Sequence, residues 1–150
     1  RSAHVSQNLK YDKNKKERKV IQSIWKKICV NGTANALCTI LECRLSNLNE
    51  SDYAKQLIYK ITQEIVQVAT VDGVHLNGDE VYNYLIDLNE KVGPHYPSMY
   101  QDLINNNRRT EIDYINGAVA RLGSEHHIDA PINQFVANMV HAKEEQRQAK

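Results

Sequence analysis

The sequence predicts an all-α protein, and three observations support this prediction. Apolar residues recur every three or four residues over most of the 150-residue chain, which is the spacing of one helix face. Proline, glycine and helix-capping residues fall between these periodic segments. No segment alternates apolar and polar residues as a half-buried strand does. The length suits a single domain, and the 41% hydrophobic and 25% charged content is that of an ordinary globular chain.

The N-terminal half is predicted to contain two helices after a polar lead-in or linker at residues 1–12, so that the helical domain covers residues 13–150. The first helix is expected over residues 14–42. Gly32 and Thr33 have low helix propensity, so the sequence is also compatible with a break in the helix at this point. Ser51 is the expected N-cap of the second helix. The residues expected on the buried sides of the two helices are Val20, Ile21, Ile24, Trp25 and Ile28, and Leu57, Ile58, Ile61, Ile65, Val66 and Val68.

The C-terminal half is predicted to contain four more helices separated by turn-rich segments. Ser98 is the expected cap of a short helix that ends near residue 105. Thr110 is the expected cap of the next helix, with Asp113 in the capping-box position. The last helix is expected to begin with Asp129 as N-cap and Pro131 in its first turn, and to end near residue 146. The helix after Thr110 is expected to bury Ile112, Ile115, Val119 and Leu122.

Composition and motifs exclude several functions. Nineteen basic and 18 acidic residues leave a net charge of +1, which gives no bulk attraction to nucleic acid or to an anionic membrane. The six glycines form neither G-x-G-x-x-G nor a P-loop, so no nucleotide-phosphate cradle is expected. Neither C-x-x-C nor H-E-x-x-H occurs, so no metal site is expected. The start of the chain lacks the apolar core of a signal peptide. The three cysteines fall on the first predicted helix at spacings that do not suit disulfides. Free thiols of this kind favour a cytoplasmic protein.

A polar stripe interrupts the apolar side of the first predicted helix. Lys27, Asn31 and Asn35 are spaced i, i+4 and i+8, and they fall within or at the edge of the apolar arc. One interpretation is that the lysine extends to water and the asparagines satisfy loop backbone groups. The other is a pocket wall, in which limited solvation would lower the lysine pKa toward the range useful for proton donation. The asparagines would then bind a small polar ligand.

Glu111 is the second candidate, because it is predicted to lie in the first turn of a helix. The helix dipole and the free amide groups there favour the charged carboxylate. Ordinary compensation of the helix N-terminus explains such a residue equally well without any function.

Two segments resemble the signature of the ketopantoate reductases (2-dehydropantoate 2-reductases). The segment Ser98–Asp102, followed by Arg109–Gly117 with the sequence RTEIDYING, is similar to that signature, and Trp25–Lys27 with Asn31 and Asn35 resembles the family's catalytic helix. The similarity runs from about residue 20 to residue 143. The resemblance implies a six-to-seven-helix C-terminal domain of the ketopantoate reductase / 6-phosphogluconate dehydrogenase C-terminal-like type. It also implies an N-terminal Rossmann domain, absent from this chain, that binds most of the NADPH.

The resemblance also implies an activity and roles for individual residues. Ketopantoate would be reduced to pantoate with NADPH, on the route to pantothenate and coenzyme A. Lys27 would be the general acid, Glu111 would help to position substrate and lysine, and Asn31, Asn35 and Ser98 would bind substrate. The partners would be a small 2-keto acid, the Rossmann domain and, through an exposed apolar face, a second copy of the chain. The isolated chain is expected to be inactive. A non-catalytic module for self-association or regulation, and a reductase of another 2-keto acid, remain alternatives.

Overall fold

The computed structural model describes residues 2–150, with side chains from residue 13 onward. Every regular element in this part of the chain is helical, which confirms the predicted all-α class. The α-helices are α1 (Ser2–Val30), α2 (Ala36–Leu41), α3 (Leu45–Asn49), α4 (Asp52–Ala69), α5 (Gly78–Val92), α6 (Ser98–Tyr100), α7 (Asn116–Glu125) and α8 (Pro131–Gln146). Two π-helical turns, Asn31–Asn35 and Gln101–Asn105, and two 3₁₀ turns, Thr70–Asp72 and Ile112–Tyr114, complete the set.

The first helix is longer than predicted, and its middle is widened rather than broken. Its backbone is already helical from Ser2, through the predicted lead-in; Arg1 and the side chains of that segment lie outside the described residues. At the predicted weak point, the chain passes from α1 through a π-helical turn into α2 without leaving the helix. The Thr33 hydroxyl donates to the Cys29 carbonyl oxygen at 2.7 Å, so a side chain stabilises this turn. π-helical turns are uncommon in proteins, and those that occur are often found at functional sites.

Helix α4 is the central helix of the core. As predicted, Ser51 caps it: the Ser51 hydroxyl accepts from the Ala54 N–H at 3.1 Å. Its buried side includes Ile58, Ile61, Ile65 and Val68, each without measurable exposure. Leu57 was expected on that side, but it is 40% exposed, because it lies at the edge of the side of α4 that faces solvent. The short helix α3 was not predicted, since five residues are too few to show a helical period.

The predicted caps in the C-terminal half are wrong in three places. Pro97 occupies the N-cap position of α6, so that Ser98 is the first helical residue and makes no cap bond. The Thr110 hydroxyl accepts from the Ile112 N–H at 3.3 Å, at the start of a 3₁₀ turn, and donates to Glu144 at 3.0 Å. It does not cap α7, which begins only at Asn116. Asp129 does not cap α8, which begins at Pro131 as predicted and ends at Gln146.

The start of α8 is capped from another helix. The two oxygens of the Glu64 carboxylate, on α4, accept from the Ile132 N–H at 3.1 Å and from the Asn133 N–H at 2.9 Å. A carboxylate at a helix N-terminus is favoured by the helix dipole and the free N–H groups there. Sequence spacing could not show this cap, because Glu64 lies far from α8 along the chain.

Candidate functional site

The π-helical turn Asn31–Asn35 and the side chains that meet there, Asn31, Asn35 and Asn116, form the polar region of the domain. The Asn35 side-chain amide donates to the Asn31 side-chain oxygen at 3.1 Å, and both residues are half-buried. The predicted pair is therefore brought together on one side of the helix. With one lone pair of the Asn31 oxygen engaged, the pair still has donor and acceptor capacity for a ligand.

The segment after Glu111 packs directly on this turn. The buried Asn116 side chain donates to the Gly32 carbonyl oxygen at 2.9 Å. A Cβ at Gly32 would lie 3.2 Å from the Asn116 side-chain nitrogen and 3.4 Å from the Ile115 side chain. The missing side chain at position 32 therefore allows the start of α7 to approach the π turn. This contact fixes the end of the segment that carries Glu111, residues 106–115, which we call the Glu111 loop.

A buried network extends the same contact into the core. Asn116 also donates to the Asn133 side-chain oxygen at 2.9 Å, and Asn133 donates to the Glu64 carboxylate at 2.9 Å. Asn116 and Asn133 have no measurable exposure. Sequence reasoning did not identify Asn116 as part of the site. The available signal was its spacing, which places an asparagine on the predicted apolar stripe between Ile112 and Val119.

Ser98 belongs to an element that contacts the π turn, whereas Glu111 makes no hydrogen bond to Asn31 or Asn35 among the described residues. Helix α6, which begins with Ser98, contacts the π turn, and its Met99 is buried. Ser98 itself is exposed. Glu111 is also exposed, and it immediately precedes the 3₁₀ turn Ile112–Tyr114 rather than standing in the first turn of an α-helix. The expected dipole stabilisation at the start of an α-helix is therefore absent at Glu111.

Lys27 lies one helical turn before Asn31, about 6 Å along the axis, and it is exposed. Of the two interpretations of the polar stripe, extension of the lysine to water is the one that fits this chain by itself. The reason is that one edge of the predicted buried arc is uncovered: Val20 is 53% and Ile24 is 52% exposed, whereas Trp25 and Cys29 are buried. The lysine therefore stands beside an exposed apolar strip, not inside the core.

Two open grooves border Lys27. One, with a volume of about 600 Å³, lies between α1 and the segment that leads into α5, and its walls include Lys26, His75 and Tyr84. The other, of about 360 Å³, is lined by Lys16, Lys19, Val20, Ser23, Ile24 and Lys27. Neither groove includes Asn31, Asn35, Ser98 or Glu111. Among residues 13–150, no hydrogen bond or ion pair joins Lys27 to Glu111.

Two features are absent from the part of the chain that the structure describes. No group of three or more histidine, cysteine, aspartate and glutamate side chains is arranged to hold a metal ion. No helix there is both long enough and apolar enough to cross a bilayer.

These features define an all-helical domain in which Asn31, Asn35 and Asn116 meet at a π-helical turn that follows the first long helix. Residues 19–144 match the family model described as Ketopantoate reductase PanE/ApbA C terminal. The chain therefore belongs to the ketopantoate reductase family and corresponds to its C-terminal domain.

Individual relatives agree with this assignment. The 2-dehydropantoate 2-reductase of Lactococcus lactis subsp. lactis is 44% identical over 145 residues, which are 95% of this chain and 45% of that protein. The 2-dehydropantoate 2-reductase of Streptococcus pyogenes serotype M3 is 42% identical over 137 residues, which are 91% of this chain and 43% of that protein. The chain therefore spans less than half the length of these relatives.

A solved structure shares the fold. The ternary structure of D-mandelate dehydrogenase with NADH and anilino(oxo)acetate is 44% identical to the matched part of this chain. It superimposes with a TM-score of 0.82, over 85% of this chain and 71% of that one.

Proposed function

We propose that this chain is the substrate-binding domain of a nicotinamide-dependent reductase that converts 2-dehydropantoate to pantoate. The observation that carries the proposal is the hydrogen-bonded pair Asn31–Asn35 on a π turn, one helical turn after an exposed lysine. This arrangement lies inside the segment that matches the reductase family. The names of the relatives at 42% and 44% identity support the choice of substrate.

The residues of this chain would supply the proton and hold the substrate. Reduction of a ketone adds hydride to the carbonyl carbon and a proton to the oxygen. The Lys27 ammonium group would donate that proton as general acid. Asn31, Asn35 and Ser98 would hydrogen-bond the polar groups of the keto acid, and Glu111 would orient substrate and lysine. Orientation of this kind is effective only when the site is closed to water and the groups are fixed.

The cofactor does not fit the residues of this chain. Its six glycines form no phosphate-binding pattern, so the chain offers no cradle for a dinucleotide pyrophosphate. NADPH, which would supply the hydride, would be held mainly by an N-terminal Rossmann domain of the full-length enzyme. We propose that this domain packs on the exposed strip of Val20 and Ile24 and thereby reduces the solvation of Lys27. The enzyme would act in the cytoplasm, and this chain alone would be inactive.

Replacing Lys27 in the full-length enzyme tests the proposal. Lys27→Ala should lower kcat for 2-dehydropantoate reduction by about two to four orders of magnitude, as expected for loss of a general acid. NADPH oxidation at 340 nm measures the rate. Lys26→Ala is the matched control, because it removes a neighbouring exposed amine, and it should retain kcat within about threefold. A near-normal rate for Lys27→Ala would refute the assigned role.

A second candidate is the reduction of an aryl 2-keto acid. The observation that favours it is the similarity to D-mandelate dehydrogenase, whose structure holds NADH and anilino(oxo)acetate. The full-length enzyme should therefore be assayed with 2-dehydropantoate and with phenylglyoxylate, each with NADPH and with NADH. A higher kcat/KM for phenylglyoxylate would replace the proposed substrate but keep the reductase class.

A further inference from the structure

We propose that His141, on α8, is a positioning residue that holds the Glu111 loop in place by bridging two carboxylates. Its two ring nitrogens face Asp113 and Glu144, and these carboxylates fix the chain on both sides of Glu111. The inference rests on the proposed function, since it assigns Glu111 a role in substrate positioning. It adds a residue outside the polar region around the π turn.

With both carboxylates ionised, the geometry of the ring calls for a positive charge. The Nε2 atom lies 2.6 Å from an Asp113 carboxylate oxygen, and Nδ1 lies 2.7 Å from a Glu144 carboxylate oxygen. A neutral imidazole has one N–H group and could donate to only one of these acceptors. Two bonds of this length therefore correspond to the imidazolium form, with both nitrogens donating.

Glu144 carries the bridge to the residue before Glu111. It is only 2% exposed, and a carboxylate so deeply buried must be paired or hydrogen-bonded. Its second oxygen accepts from the Thr110 N–H at 2.6 Å and from the Thr110 hydroxyl at 3.0 Å. His141 thus organises both anchors of the loop, directly at Asp113 and through Glu144 at Thr110.

The charged groups around His141 identify it as the cation of the cluster. From α7, the Arg121 guanidinium donates to the Asp113 backbone carbonyl at 2.8 Å, not to its carboxylate. From α8, Lys143 points to the end of α2, where it donates to the Ile40 carbonyl and to Glu42. The 3₁₀ turn and α8 supply the two acidic partners, Asp113 and Glu144. Among the described side chains, His141 is thus the cation that pairs with both carboxylates.

The bridge is expected to weaken as the pH rises. The hydrogen bond to Asp113 is the main cause that raises the His141 pKa; the bond to Glu144 and both negative charges add to it, and burial opposes them. A raised histidine pKa means that the bridge is complete below the ordinary value of about 6.5 and is lost as pH rises through the folded value. One of the two hydrogen bonds then disappears, and the loop that carries Glu111 is held less firmly.

Three substitutions in the full-length enzyme test the inference. His141→Gln removes the charge, and at pH 6 it should lower kcat/KM about tenfold, mainly through KM. His141→Lys keeps a cation throughout the neutral range, so it should retain most of kcat/KM and lose the histidine-dependent alkaline decline. His126→Gln, at an exposed histidine beyond α7, is the control and should leave kcat/KM and its pH profile unchanged.

A structural readout separates this inference from the proposed function. The ring protons of His141, followed by NMR in the full-length protein, should titrate with a midpoint above 6.5. Asp113→Asn should move that midpoint downward and reproduce the KM effect, even if His141→Gln does not fold. An unshifted midpoint, or a folded His141→Gln enzyme with wild-type KM and pH profile, would overturn the inference. A wild-type enzyme that reduces no 2-keto acid would overturn the proposed function, while the titration would still decide whether the bridge exists.

Discussion

At the scale of single residues, Asn116 shows how one buried amide fixes the site. Its two donor hydrogens are used at 2.9 Å on the Gly32 carbonyl and on Asn133. Its oxygen has no hydrogen-bond partner among the described residues. A buried acceptor without a partner costs free energy. The two donated hydrogen bonds and the close approach to Gly32 therefore hold the Asn116 side chain in this position. The orientation of α7 relative to the π turn therefore depends on this side chain.

The three cysteines illustrate how local backbone geometry changes reactivity. Helix α2 ends at Leu41, and Glu42 adopts a left-handed conformation, which brings the Cys43 N–H to 3.1 Å from the Cys38 carbonyl. A hydrogen bond from Cys38 lowers the pKa of the half-buried Cys43 thiol, whereas burial raises the pKa of Cys29 to about 12. All three are free thiols, as predicted.

We therefore predict that Cys43 is the first thiol to be alkylated. The thiolate is the reactive form, and only Cys43 combines a lowered pKa with partial exposure. Iodoacetamide labelling at pH 7.5, followed by peptide mass spectrometry, measures the order of reaction. Cys43→Ser should remove the fast phase, and Cys29→Ser should retain it. Equal labelling rates at Cys29 and Cys43 would contradict the prediction.

At the scale of elements, α7 is positioned by a turn that leaves no room for a side chain. Gly123 lies near the end of α7, and its carbonyl accepts from the Ile128 N–H at 2.8 Å. A Cβ at this position would collide with the Ile128 carbonyl oxygen and would lie 3.1 Å from the Val68 side chain of α4. The backbone of the turn into α8 therefore needs glycine here for space rather than for conformational freedom.

Gly123→Ala is expected to destabilise the chain by about 1–3 kcal/mol, despite the better helix propensity of alanine. The atom that obstructs the new methyl group is backbone, which cannot rotate away as a side chain could. Urea unfolding followed by circular dichroism gives the change in the free energy of unfolding. Ser124→Ala, at the next and exposed position, should change it by less than about 0.5 kcal/mol. An unchanged or higher midpoint for Gly123→Ala would show that the turn can shift.

At the scale of the whole molecule, the uncovered strip on α1 is the feature that the domain by itself leaves unexplained. Val20 and Ile24 are more than half exposed, although they lie on the same apolar arc of α1 as the buried residues Trp25 and Cys29. Lys27 stands at the end of this strip. If the proposed nucleotide-binding domain covers this strip, formation of the interface would also shield Lys27 from water, and this would explain why the lysine is exposed in this chain alone.

Two substitutions on the strip test this arrangement. Val20→Ser with Ile24→Ser should change the unfolding free energy of this chain alone by about 1 kcal/mol or less per site, because each side chain is more than half exposed. In the full-length enzyme, the same pair should lower stability by about 1.5–3 kcal/mol per side chain if the interface buries them fully. Phe135→Ser, at a residue 64% exposed on α8, is the control. Equal effects in both proteins would exclude a domain contact at the strip.

The sequence by itself determined the helical class, the position of α4 with its Ser51 cap, and the start and end of α8. These features depend on local rules: a 3.6-residue apolar period, a capping hydroxyl and a proline that fits the first helical turn. The same rules placed Asn31 and Asn35 on one side of a helix, where the structure joins them by a hydrogen bond.

Only the tertiary structure decided which apolar faces are covered and which polar groups meet. Periodicity assigns Val20 and Trp25 to the same arc, but burial depends on whether another element packs there, and for Val20 none of the described elements does so fully. Likewise, the Thr110 hydroxyl makes a local bond to the Ile112 N–H, but it also donates to Glu144, which is 34 positions further along the chain. Contacts at such sequence separations depend on how helices pack, and a local pattern carries no information about that packing.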